Sequence, residues 1–319
     1  MRSGMGRILR NFILASVPLW LLSAFTYALP LSYMTTEYVL WAEEKDYVNQ
    51  KAAPDETVII GDSRAKSSLI PGMIGDGIYN IAIGGATPIE MYYATKNYIR
   101  CHGAPKAAVV IFAPYHLCDI DNWNQTQYNN YLSVPEQAEV MGEAISLKNE
   151  VVHYKGWLSD AVSFRLRLPS KYLAQEYDAR FIGRKAENMA KYEAVRGDLG
   201  YCEFGSDPGN DSLDYETHHP DFDSSALVLA YYDRLLSLLT ENGVEVTVLQ
   251  APINEASNEA MHEAFMEGYR QYLTGQEQKH PAVHFEKDVP VYSNRYFGDS
   301  NHLNRSGAEK YTLEMKPFF

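Results

Sequence analysis

Between Phe12 and Met34 the chain reads "FILASVPLWLLSAFTYALPLSYM", without one charged side chain. At ~1.5 Å per helical residue such a stretch crosses a hydrocarbon layer of ~30 Å, so the remainder of the fold must be reconciled with a bilayer. Arg2, Arg7 and Arg10 precede it, and Glu37, Glu43 and Glu44 follow. The positive-inside rule then places the amino terminus in the cytoplasm and everything beyond about residue 35 outside it. A cleaved signal peptide is the alternative. Against it stand the length of the apolar region and the poor small-residue cleavage pattern of "TYALPLSYM". Pro18 is tolerated in a membrane helix. The expected organisation is a cytoplasmic tip and anchor over 1–34, a polar membrane-proximal linker over 35–55, and one extracytoplasmic domain over 56–319.

The net charge of -13 conceals an asymmetry. Residues 1–34 carry three arginines and no acid, which leaves -16 for the rest of the chain. Such a surface repels nucleic acid and acidic membrane faces, and argues against a strongly polyanionic substrate unless a local basic groove intervenes. Tyrosine is abundant, at 24 residues, which suits broad amphipathic contact surfaces. Cys101, Cys118 and Cys202 have no metal-binding spacing, and read either as buried small hydrophobes or as one disulfide and a spare thiol. Nothing calls for a metal or a cofactor.

Beyond residue 55, short apolar runs alternate with helical patterns. "ETVIIG", "IYNIAIGG", "KAAVVIFA", "VEVTVLQAP" and a weaker "AVHFE" read as strands. Thr87-Pro88-Ile89-Glu90 is a capping box with proline at the first helical position, opening a helix that runs to about His102 before Gly103. A second helix, about Ser225 to Glu241, aligns Leu227, Tyr231, Leu235 and Leu238. Strands alternating with helices predict an α/β fold with a parallel sheet. Residues 119–223 interrupt the alternation with helical, aromatic-rich sequence, and are expected to be an insertion at one sheet edge. That insertion is either a cover for apolar surface or a lid beside the active face.

In "VIIGDSRAKSS" the first strand runs into Gly61-Asp62-Ser63. This is either an ordinary turn or a nucleophilic serine at the carboxyl end of a strand, where open α/β sheets place their ligands. A nucleophilic serine needs a base and a third group to orient that base. "GDSNHLNRSG" offers both, with Asp299 three residues before His302, just ahead of a terminal helix that Asn304 can cap. "NIAIGGATPIE" ends the second strand at a double glycine, where a backbone N–H can approach a developing oxyanion.

Gly61-Asp62-Ser63, Asn80 with Gly84-Gly85, and Asp299 with His302 together resemble blocks I, II and V of the SGNH (GDSL-type) hydrolase superfamily. The resemblance covers about residues 56–115 and 226–315. It implies a flavodoxin-like three-layer α/β/α sandwich in which Ser63 is nucleophile, His302 base and Asp299 its orienter. The N–H groups of Ser63 and Gly85 would form the oxyanion hole. Asp62, Arg64, Tyr115 and His116 are candidate substrate or support residues. Arg64 reads as a solvated charge or as a bidentate clamp for a carboxylate or phosphate. The family's third block, whose asparagine donates to the oxyanion, has no counterpart in "VVIFAPYHLCDID", so Tyr115 or His116 would donate instead, or the hole has two donors. The anchor, "GDSRAKSSLIP" and "DSNHLNRSGAEKYT" are similar to the membrane-anchored subgroup that accompanies membrane-bound O-acyltransferases in modifying cell-surface polymers. That similarity implies O-acyl (acetyl) transfer to an extracytoplasmic glycan or cell-envelope polymer. Hydrolysis of such esters and non-catalytic polymer binding are the rival expectations.

Overall fold

Alternating side chains of β1 and β3 face opposite cores, and this sets the architecture. Val58 and Ile60 of β1 (Thr57–Gly61) join one apolar cluster with Ala108 and Val110, while Ile59 joins another with Val109 and Ile111. Both faces of the sheet are therefore dry, as a parallel sheet covered by helices requires. In the computed structural model, which describes residues 2–28, 36–169, 172 and 183–319, the remaining strands are β2 (Ile78–Asn80), β3 (Ala107–Ile111), β4 (Glu245–Val248), β5 (Ile253–Asn254), β6 (Val283–Phe285) and β7 (Val291–Tyr292). Five of them form one parallel sheet in the order β2-β1-β3-β4-β6, and β5 pairs with β7 in a separate parallel ribbon.

The helices Pro88–His102 and Ala226–Glu241 cover one face; Tyr93, Tyr231 and Leu235 are fully buried there. Ser63–Ser68, Pro71–Ile74 and Arg305–Met315 cover the other, with Ala65, Ile74 and Tyr311 in its core. The expected capping box is present: Thr87 accepts from the Ile89 amide, and Glu90 takes the Thr87 amide at 2.9 Å.

Residues 119–223 contain the helices Trp123–Tyr128, Val134–Ser146, Trp157–Arg165 and Gly183–Gly197, with no strand among the described residues. Of the stretch "ARFIGRKAENMAKYEAV", whose sequence reads as a helix from residue 179, the first four residues lie outside the described residues. The three cysteines are unbridged.

Two segments differ from expectation. The 35–55 stretch, read as a polar linker, contains the helix Thr36–Asn49, which packs on the Pro88–His102 and Gly183–Gly197 helices. Leu40, Trp41 and Val48 are buried, as are Glu43 and Glu44. The acids are tolerated because tyrosine hydroxyls meet them: Tyr79 donates to Glu43 at 2.6 Å and Tyr131 to Glu44 at 2.7 Å. The second difference concerns the apolar run. Its helix spans Arg2–Ala28, and Met5–Ala28 is long and apolar enough to cross a membrane; its side chains are exposed apart from a few, of which Thr26 near the end is buried. Residues 29–34 of the expected span lie outside the described residues.

Candidate active site

Gly61 ends β1 where no side chain fits: a Cβ there would lie 1.8 Å from the Ile111 carbonyl oxygen. The close approach of β3 directs the chain into the short helix Ser63–Ser68, capped by Asp62, whose Oδ1 accepts from the Arg64 amide at 2.9 Å. Ser63 thus stands at the carboxyl end of the sheet, at the floor of a cavity of about 470 Å³. The same cavity is lined by Gly85, His116, Asn122 and His302.

His302 is held on one side only. Its Nδ1 lies 2.8 Å from Asp299 Oδ2, and Asp299 Oδ1 accepts from the backbone amides of Asn301 and His302 at 3.0 and 2.7 Å. Burial would raise the Asp299 pKa, but the hydrogen bond and charge of His302, with those two amides, hold it below the usual carboxylate value. Phe204 lies against the imidazole, ring centroids 4.9 Å apart. Phe204 is placed by a backbone contact so tight that a Cβ on Gly205 would fall 2.2 Å from the Gly298 carbonyl carbon. His302 Nε2 is buried and has no hydrogen-bond partner. A proton-accepting nitrogen, fixed in tautomer by a carboxylate and otherwise uncommitted, therefore borders the cavity that holds Ser63.

The Gly84-Gly85 turn forms another part of the cavity wall, with Gly84 close to Phe204 and Ser63. Asn80 ties it to the serine helix, donating to Ala65 O at 2.9 Å and accepting from the Ala82 amide at 3.0 Å. The buried Lys66 donates to Ala82 O at 2.9 Å. Gly85 has φ +72°, and a Cβ there would sit 2.5 Å from Asn122 Nδ2. Asn122 is the residue that sequence reading missed. It follows "VVIFAPYHLCDID" directly, one position beyond the segment searched, and its amide donates to Asp121 Oδ1 at 3.0 Å while lying against Gly85.

The candidate substrate or support residues lie beside the serine helix and the cavity. Asp62 accepts from the Ala113 amide at 2.7 Å and holds His116 Nδ1 at 2.6 Å. Burial opposes charge on both, yet each charge outweighs it for the other. The Asp62 pKa is lowered and the His116 pKa is raised. His116 Nε2 lies 3.8 Å from Asp121. The cavity is thus lined by the histidines of two histidine–carboxylate pairs, His116 with Asp62 and His302 with Asp299. Tyr115 stacks on Tyr215 and donates to Asp121 at 3.4 Å.

Arg64 is neither a solvated charge nor a free clamp. It is buried and paired with Asp214 at 2.7 Å and Glu216 at 2.6 Å. Burial raises the pKa of Asp214, and the adjoining Glu216 adds to the rise; Arg64 instead overcomes burial at Glu216 and holds it near 2. Both acids come from the end of the insertion, so Arg64 fastens that segment to the serine helix. With Arg64 neutralised, the remaining carboxylates of the cavity wall, Glu37, Asp121 and Asp299, leave it acidic. No protein-family model matches the chain, and no curated protein matches it.

Proposed function

We propose that the protein is a membrane-anchored serine enzyme of the SGNH type, with a flavodoxin-like catalytic domain, that transfers an O-acyl group to an extracytoplasmic glycan or cell-envelope polymer. The observation that carries this reading is a single cavity bordered by Ser63 and by a buried histidine nitrogen with no other partner. No hydrogen bond joins the two groups among the described residues; such catalytic contacts commonly tighten when substrate binds.

In this reading Ser63 Oγ attacks the acyl carbonyl carbon while His302 Nε2 takes its proton. The N–H groups of Ser63 and Gly85 and the amide of Asn122 receive the oxyanion. Collapse expels the leaving group, which takes the proton back from His302 and leaves an acyl-serine. The acceptor hydroxyl then gives its proton to His302 and attacks the acyl-serine. The acyl group moves to the acceptor, and the proton returns to Ser63. Asp299 supports the transient imidazolium.

Transfer is favoured over hydrolysis by the position of the cavity. Glu37, Leu40 and Trp41 of the helix next to the anchor form part of its wall, which holds the reaction beside a membrane-borne donor such as a membrane-bound O-acyltransferase would supply. The acidic wall favours a neutral acyl group such as acetyl over an anionic one. The domain lies outside the cytoplasm and the amino terminus within it.

The test uses the full-length protein in detergent. It should release nitrophenol from an activated acetyl ester and be labelled by a serine-directed phosphonate. Ser63→Ala and His302→Ala should each abolish both signals, and the double variant should be no worse than either, because members of one catalytic unit are not additive. Soluble glycan acceptors should accelerate turnover; unchanged turnover would make water the acceptor. Normal surface acylation in cells carrying Ser63→Ala would sink the catalytic reading.

A further inference from the structure

We propose that the helix Trp157–Arg165 is a second membrane contact, lying along the bilayer surface with Leu158, Val162 and Leu166 in the lipid. The inference rests on reading Met5–Ala28 as the anchor.

The helix is apolar on two sides. One side packs on the domain, with Trp157 against the main core and Phe164 against Tyr128 and Tyr172. The other is open: none of the helix residues is fully buried, and Leu158, Val162 and Leu166, spaced four apart on one stripe, are 60%, 46% and 52% exposed. Polar contacts complete the attachment. Arg165 donates to Leu132 O at 2.7 Å, and Asn130 donates to Phe164 O at 3.2 Å. Scattered apolar residues on a surface need no explanation, but a continuous stripe does.

The position of the stripe identifies its occupant. Thr26 Oγ1 donates to Arg167 O at 2.9 Å, Arg167 donates to Tyr27 O at 3.3 Å, and its guanidinium lies 5.6 Å from the Tyr27 ring centroid. The end of the stripe is thereby fixed to the end of the anchor. A helix of 24 residues measures ~36 Å against a hydrocarbon core of ~30 Å, so with Arg7 and Arg10 reaching back to the cytoplasmic surface, Thr26 and Tyr27 come to the opposite headgroups. A tyrosine and an arginine meeting there match the aromatic and cationic composition of that layer. The surface continues beyond Trp157 into an open groove shared by the exposed Ile145, Lys148 and Lys155. Two lysines there against one acid, Glu150, leave the groove net positive where it would meet anionic lipid. An apolar stripe with cations at its flank, joined to a membrane span, is the pattern of an interfacial helix.

The experiment places one environment-sensitive dye at a time on the full-length protein in vesicles of phosphatidylcholine and phosphatidylglycerol, with the partly exposed Cys101 replaced by serine. Dyes go on Leu14→Cys in the anchor, Leu158→Cys and Val162→Cys on the stripe, and Leu313→Cys on the exposed side of the terminal helix. Lipids brominated in the acyl chain should quench positions 14, 158 and 162, and aqueous iodide should quench 313 severalfold more than 158 or 162. Lipid quenching at 14 with free iodide access at 158 and 162 would overturn the proposal while leaving the anchor intact. Shielding of 158 and 162 from both quenchers would also overturn it, in favour of a protein covering the stripe. Iodide access at 14 would instead remove the anchor reading, and the proposal with it.

Discussion

The side-chain amide of Asn122 lies against the backbone of Gly85 so closely that a methyl group at 85 would come within 2.5 Å of Nδ2. The wall of the cavity is thus built by a glycine and an amide that exclude any larger neighbour. If Asn122 donates to the oxyanion, Asn122→Ala should lower kcat for an activated ester by ~10²- to 10³-fold with little change in KM. Gly85→Ala should lose both activity and melting temperature, through the collision and through its φ of +72°. Unchanged kcat in Asn122→Ala would reduce the hole to its two backbone donors.

Arg64 predicts a stability phenotype. Arg64→Ala strands Glu216 without its counter-charge, so denaturant unfolding should show a loss of about 3–5 kcal/mol. Arg64→Lys should recover part, since a single nitrogen, Nη2, meets both carboxyls and the shorter lysine must bring its ammonium to that same point. Asp214→Asn should cost less than Glu216→Gln, because burial and the adjoining Glu216 oppose charge on Asp214, whereas Arg64 holds Glu216 ionised against burial. Wild-type stability with a raised KM in Arg64→Ala would return Arg64 to the substrate.

The Asp62–His116 pair makes stability depend on pH. The folded-state pKa of His116 is raised, so its contribution is complete below the unfolded value of ~6.5 and is lost as pH rises through the folded value. The Asp62 pKa is lowered, so its contribution persists in acid until pH falls through that depressed value. The stability advantage of wild type over His116→Gln should therefore shrink as pH rises from below ~6.5 through the raised folded value. A gap of constant size across that range would show that His116 is neutral when folded.

Topology can be read with one thiol. Lys51→Cys, at an exposed position just beyond the Thr36–Asn49 helix and with Cys101 replaced, should react with a membrane-impermeant maleimide in intact cells. Labelling only after lysis would reverse the orientation.

The sheet was legible because β1 and β3 are short runs of β-branched residues, and their burial on both faces follows from that composition. Asp299 and His302 were legible as a pair because three residues of loop suffice to join them. The Thr36–Asn49 helix was not, since its buried face carries Glu43 and Glu44 and their partners, Tyr79 and Tyr131, lie far along the chain. Phe204 was hidden for a similar reason: its place against His302 depends on Gly205 meeting Gly298, a contact that no local pattern encodes. Arg64 was misread because its two acids lie 150 and 152 residues away.

The helix Thr36–Asn49 gives Leu40 and Trp41 to the cavity wall and Val48 to the core. A protease cutting in the exposed stretch around Lys51 would therefore not liberate a working domain. The piece set free would lack part of its own reaction chamber and would expose apolar surface where Trp41 had been. On the proposed function, shedding from the cell would switch the protein off, so its chemistry could not spread to distant surfaces by release into the medium.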